Sequence, residues 1–378
     1  MLKKNFLMSP GPSKVPESVM LEMAQPVFHH RTPQYQEIFA DVTAKLKQVF
    51  RTKNDVFVFT SSGTGAMEAS VTSFLSAGDT VLTIDMGKFS QRFDLIAKAY
   101  GINTKKIDVE WGKAVDPSVV EAALAEDPSI KAVYSTLTET STGVVVDLKA
   151  LGAVVAKTSA ILVADAISGL GADKIETDEW GVDVVVAGSQ KALMLPPGLA
   201  FMSVSEKAYQ LAENSSIPAF YFDLSRSKKA LDKNDTPFTP AITLVIGLQK
   251  SLDMILSEGM EEVWARHEKL AVATRAAVKA IGLSILSDSP SNAVSAVQFP
   301  EGVDGGKFAK IIRDEKGVTM AGGQDHLKGK IFRIAHMGYC NQYDMVVGLA
   351  AVEEVLYELN FKFDKGAALK AFQETYLS

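Results

Sequence analysis

Between residues 56 and 204 the chain repeats one pattern, in which short runs of Val, Ile and Ala alternate with segments of helical period. The strand-like runs fall at 56–60, 80–84, 132–136, 161–164, 183–187 and 199–204. Several are apolar throughout instead of alternating, as strands buried on both faces must be. The intervening segments supply the covers. Phe93, Ile96, Ala97 and Tyr100 share one helical face, and Leu148, Leu151, Val154 and Val155 share another that Asp147 can cap. This alternation predicts an α/β fold, a mostly parallel sheet flanked by helices on both sides. Ligands of such sheets bind beyond the carboxyl ends of the strands, so the residues that follow each run matter most.

The flanks divide the rest. Pro10, Pro12 and Pro16 make residues 1–20 an extended N-terminal arm. Tyr35, Ile38, Phe39, Val42, Leu46, Val49 and Phe50 follow at helical spacing. After the sheet a long apolar helix is expected over 241–256. The next helix carries Met260, Val263, Trp264, His267, Leu270 and Ala271 on one face. Short strands near 294–299 and 330–335 and a final helix over 344–359 complete the pattern. A chain of 378 residues exceeds one small core. The expected division is the arm, a large domain over 21–257 and a small C-terminal α+β domain over 258–378.

Composition removes several partners. Net charge is −6 with the signs interspersed, which fits neither a nucleic-acid-binding surface nor a basic membrane-facing patch. No apolar run approaches the ~20 residues that span a bilayer. Cys340 is the single cysteine, so no intrachain disulfide can form. The N-terminus has no long apolar stretch of the signal-peptide kind. A cytoplasmic protein is expected. The scattered histidines, His326 and His336 among them, have no metal-ligand spacing, and no metal is expected.

Chemistry gathers at three strand ends. The 183–187 run stops at Gly188-Ser189-Gln190, and Lys191 follows, ahead of apolar Ala192, Leu193, Met194 and Leu195. A lysine is costly there unless solvated, paired or used, and desolvation would free its amine as nucleophile and base. The 161–164 run ends in Asp165, either a turn residue or a charge partner. An imine-forming lysine with a carboxylate on a neighbouring strand end suits pyridoxal 5'-phosphate, since the carboxylate keeps the pyridine nitrogen protonated. The 56–60 run leads into Ser61-Ser62-Gly63-Thr64-Gly65 and a helix. Small residues at a helix N-terminus make either a capped turn or a phosphate cradle. The spacing of nucleotide and dinucleotide loops is absent.

In order along the chain, the segments MSPGPSKVP, SSGTGAMEA, DMGKFSQRF, TETSTGVVVDL, VADAISGLGA, GSQKAL and KIFRIAHMG resemble the class V aminotransferases of the fold-type I pyridoxal-phosphate enzymes, specifically the alanine–glyoxylate and serine–glyoxylate group. The resemblance covers nearly the whole chain. It implies a seven-stranded-type sheet and assigns the site. Lys191 matches the lysine that carries the cofactor and Asp165 the partner of its ring nitrogen. Phe89 matches the stacking aromatic. Ser62, Gly63, Thr64 and Gln190 match the phosphate contacts, and Thr140 the hydroxyl near the phenolic oxygen. Thr239 matches a threonine that reaches the phosphate of a neighbouring subunit, which implies a homodimer with a shared active site. Arg333 matches the arginine that grips the substrate carboxylate, and Gly11 lies in the arm that lines the substrate pocket. Where some relatives carry a tyrosine toward the partner's phosphate, this chain has Thr236.

The expected activity moves an amino group from a small amino acid, alanine or serine, to a small 2-oxo acid, glyoxylate or pyruvate, by a ping-pong route. An aminophosphonate donor would use similar motifs. A cysteine desulfurase or lyase is disfavoured, because Phe89 and Gln190 stand where those enzymes carry histidines and Cys340 follows Arg333. A non-catalytic cofactor-binding subunit would have no need of Lys191, Asp165 and Arg333 together.

Overall fold

The computed structural model describes residues 4–378. Its centre is a seven-stranded sheet in the order Asp55–Phe59, Ala200–Val204, Val184–Gly188, Ile161–Asp165, Ala132–Thr136, Thr80–Asp85 and Asn103–Asp108. Ala200–Val204 is antiparallel to both of its neighbours, and the other adjacent pairs are parallel. Six strands fall within a residue or so of the expected runs. The seventh, Asn103–Asp108, was not visible as an apolar run. It is an edge strand of sequence NTKKID whose side chains are exposed or half-buried. Lysines on an edge discourage pairing with another chain, and they also erase the hydrophobic signal.

Side chains leave the sheet alternately for two apolar layers. Val133, Leu162, Val185 and Ala187 meet Phe39, Leu46, Leu151 and Leu248 on one side. Tyr134, Val163, Val184 and Val186 meet Met67, Val71 and Phe93 on the other. Burying each large aliphatic side chain is worth about 1.5–3 kcal/mol, so this two-sided burial holds the strands in register. Local chemistry sets helix starts. Asp147 accepts the Ala150 N–H at 2.9 Å and caps Leu148–Val155, as the sequence implied.

A second, antiparallel sheet has the order Ser284–Ile285, Val294–Gln298, Ile331–Ala335 and Ala321–Gly322. It packs with Met260–Ala280, Gly305–Asp314 and Gln342–Glu358. A helix not expected from the sequence, Ala367–Leu377, follows. It buries only Ala368 and Phe372, a stripe too narrow to stand out in sequence. The N-terminal segment crosses between the two sheets. Phe6–Leu7 pairs parallel with Val318–Thr319, Ala335 N–H donates to the Met8 carbonyl at 2.9 Å, and Ser13 N–H donates to the Gln190 carbonyl at 2.9 Å. Helix Glu17–Met23 begins just after Pro16. Among the described residues no helix is long and apolar enough to cross a membrane.

Candidate active site

The carboxyl ends of five parallel strands open on one cavity. After Val184–Gly188 come Gln190 and Lys191. Both lie on the loop that returns antiparallel to Ala200–Val204, and Ser189 closes it. Its Oγ donates to the Pro196 carbonyl at 2.7 Å and accepts the Leu199 N–H at 3.2 Å. Lys191 is thereby held against the sheet, only 8% exposed, with Ala192 to Leu195 buried behind it. Its Nζ donates to the Pro10 carbonyl. Burial pulls the ammonium down to about 8; Arg333 and Arg92 act in the same direction and Asp165 opposes them.

The N-terminal arm covers this amine. Gly11 has φ +136°, and a Cβ there would run into Lys191 Nζ. Only glycine combines that backbone with that approach. Ser13 Oγ donates to the Lys191 carbonyl at 2.5 Å.

Asp165 ends its strand with backbone partners on both sides. Its Oδ1 accepts the Ile167 N–H at 2.8 Å. Burial lifts its pKa to about 7, with Glu139 adding to the rise and the Ile167 N–H, Arg92 and Lys191 opposing it. It is a buried acid with no cation bonded to it among the described residues. A protonated ring nitrogen placed there would restore the ionised form.

After Asp55–Phe59, Ser62 takes the N-cap position of helix Gly63–Thr72 without using its side chain for the cap. Gly65 N–H turns back to the Ser62 carbonyl at 2.8 Å. The amides of Gly63 and Thr64 and the Ser62 hydroxyl remain for an anion. Gln190 also lines the cavity, and its Oε1 is buried without a partner. After Ala132–Thr136, the Thr140 hydroxyl shares a hydrogen bond with Ser168 on the cavity wall.

Half-buried Phe89 closes another side. A residue that the sequence reading passed over, Glu139, holds its loop. This fully buried carboxylate accepts the N–H groups of Phe89 (3.1 Å), Ser90 (2.8 Å) and Ser141 (3.0 Å), and the Ser141 hydroxyl at 2.6 Å. A Cβ at Gly87 would overlap it. The available signal was a glutamate within TETSTG, at the end of a buried strand. Arg92 was also passed over; it lines the cavity beside Phe89.

Arg333 lies on Ile331–Ala335 and is 6% exposed. Nε and Nη2 donate to the Gly322 carbonyl at 3.1 and 2.8 Å, and Nη1 to the Thr140 carbonyl at 3.0 Å. Thr140, whose carbonyl Arg333 bonds, lines the cavity. Burial pulls the guanidinium down to about 10, opposed by Glu139. Among the described residues no carboxylate pairs with it, so a bound carboxylate would be its counter-charge.

Thr239 is not brought to this cavity. It is exposed and lines a separate recess with Tyr221 and Phe238. Thr236 spends its hydroxyl on the Phe238 carbonyl at 2.7 Å. Cys340 borders a different cleft, beside Lys14 and Arg266, and burial pushes its thiol up to about 12. A thiol so hard to ionise makes a poor nucleophile. His336 is buried near Arg333, and burial drops its pKa to about 3; it bonds Ser295 Oγ and the Asn292 carbonyl.

A desolvated amine, an acid lacking its cation, an aromatic face and an anion cradle together fit a phosphorylated pyridine aldehyde. Comparison with known proteins agrees. Residues 5–340 match the family described as "Aminotransferase class-V". The chain is 35% identical to the L-aspartate–glyoxylate aminotransferase of Paracoccus denitrificans, over 100% of this chain and 97% of that protein. A protein of Synechococcus sp. named "Soluble hydrogenase, small subunit" is 43% identical over 98% of each chain. The solved ureidoglycine–glyoxylate aminotransferase of Bacillus subtilis superposes with a TM-score of 0.95 at 30% identity, over 100% of this chain and 99% of that one. The chain belongs to the class V aminotransferases, fold-type I enzymes that depend on pyridoxal phosphate.

Proposed function

We propose that this enzyme transfers the amino group of alanine or serine to glyoxylate or pyruvate, in two half-reactions at the Lys191 cavity. The observation that carries this reading is the pair of buried groups, Lys191 and Asp165, on one cavity with a neutral anion cradle, and buried Arg333 bonded to Thr140 of the cavity wall. Pyridoxal phosphate, when bound, supplies the electron sink that acidifies the donor's α-carbon. Ser62, Gly63, Thr64 and Gln190 would hold it, Phe89 would cover its ring and Asp165 would keep its nitrogen protonated. Thr140 would offer its hydroxyl to the phenolic oxygen. Arg333 would orient the donor carboxylate through its planar fork. Lys191, whose pKa burial lowers to about 8, can accept the donor's α-proton as the free amine and hand it on. Gly11 and Pro10 approach the amine closely from the arm, and this close cover is the support for a small donor. Names of relatives that use glyoxylate support that acceptor.

The test is an absorbance titration of purified protein. L-alanine or L-serine should bleach the yellow band of the bound cofactor, and glyoxylate should restore it. A yellow protein that ignores both amino acids would exclude these donors and make an aminophosphonate the next trial.

The same reading includes a cytoplasmic homodimer, in which Thr239 serves the neighbouring subunit. Its support is an exposed aromatic group beside Thr239: Phe220 is 71% exposed, and Tyr221 stacks on Phe238 at 5.2 Å. Sedimentation should give twice the mass of one chain, and a monomer would remove the trans role.

A further inference from the structure

The anion cradle is short of positive charge. Ser62, Gly63, Thr64 and Gln190 are all neutral, whereas a phosphate monoester carries about −1.5 to −2 at pH 7. A helix N-terminus offsets about half a unit. A buried site cannot leave the remainder uncompensated without a large desolvation cost.

Three cations lie near the cavity. Lys191 is bonded to the Pro10 carbonyl, and Arg333 to the carbonyls of Gly322 and Thr140. Arg92 is the one attached to the cradle itself. It projects from the first turn of helix Gln91–Ala99 into the same cavity, where Nη1 donates to Thr64 Oγ1 at 3.2 Å. Its guanidinium lies 5.3 Å from the centre of the Phe89 ring. Among the described residues it forms no salt bridge, so its remaining N–H groups are not committed to a carboxylate.

We infer that Arg92 is the counter-charge of the cofactor phosphate, bonding a phosphate oxygen from the Phe89 side while Thr64 steadies its fork. The inference rests on the assignment of this cavity to the cofactor. A guanidinium suits the task, since its donors match phosphate oxygens and it stays ionised in a half-buried place. Two other roles would use the same side chain. Arg92 could serve only to brace Phe89 through its ring face, or it could hold the acidic side chain of a dicarboxylate donor.

Titration of the apoproteins with pyridoxal 5'-phosphate and with pyridoxal, which lacks the phosphate, separates these roles. Binding is read by visible absorbance and by tryptophan fluorescence, without turnover. Arg92→Gln should weaken the phosphorylated form about 10- to 100-fold, and pyridoxal by less than about threefold, as expected for loss of a charge-assisted bond. Arg92→Lys, which keeps the charge and loses the fork, should fall between. Melting of both apoproteins should stay close to wild type. Equal weakening of both ligands would mean that Arg92 acts through Phe89, and would overturn the inference. Unchanged affinity for both, with a raised KM for L-aspartate, would place Arg92 on the substrate and overturn it too. If the wild type binds neither ligand, the cavity assignment fails and takes this inference with it.

Discussion

Lys191→Ala is expected to lower transamination by about 10⁴-fold, the upper range for loss of one positioned acid–base group. The variant should also lose the yellow band while folding normally. The side chain contributes chemistry at some expense to stability. Burial disfavours its ammonium, and a methyl group removes that cost. Melting near the wild-type temperature together with a collapse in kcat is the expected pair of readings. The direction of the lysine shift adds a check on the wild type. Only the neutral amine attacks an aldehyde, and its pKa is lowered to about 8. The rate of cofactor capture by the apoprotein should rise about tenfold per pH unit below that value and level off above it. A flat profile across pH 6 to about 9 would assign the capture step to another group. Turnover within about tenfold of wild type in the alanine variant would sink the assignment of Lys191.

Arg333→Lys is expected to raise the KM for L-alanine or L-serine by about 30- to 100-fold, with cofactor affinity nearly unchanged. The substitution keeps a positive charge and removes the planar fork. The Gly322 and Thr140 carbonyls would each lose a donor, so stability should fall by about 1–3 kcal/mol as well. A purely structural role would show the second effect without the first. An unchanged KM would mean that another group grips the carboxylate.

Legibility differed residue by residue. Lys191 and Asp165 could be singled out because each ends an apolar run, where a charged side chain needs a reason. Small side chains at the strand-to-helix turn allowed either a capped turn or a phosphate cradle, and the cradle residues were named through family resemblance. Arg333 was visible only through family resemblance, since a lone arginine on a short strand has many ordinary uses. Glu139 and Arg92 escaped attention for a different reason. The work of Glu139 is done by backbone N–H groups contributed by a loop about fifty residues away, and backbone donors leave no trace in composition. Arg92 reads as one more charge on an amphipathic helix until Thr64 is seen beside it. The strand Asn103–Asp108 was hidden by its edge position and its lysines.

Local period and strand-end chemistry by themselves determined the α/β class, six of the seven central strands and the Asp147 cap of helix Leu148–Val155, because burial and capping act over a few residues. Which arm lies over Lys191 was decided only in three dimensions. Pro10 and Gly11 reach the amine because Phe6–Leu7 joins Val318–Thr319 and Ser13 bonds the Gln190 and Lys191 carbonyls. Those bonds link positions far apart in the chain, and a pairing between unlike segments leaves no periodic signal in either of them.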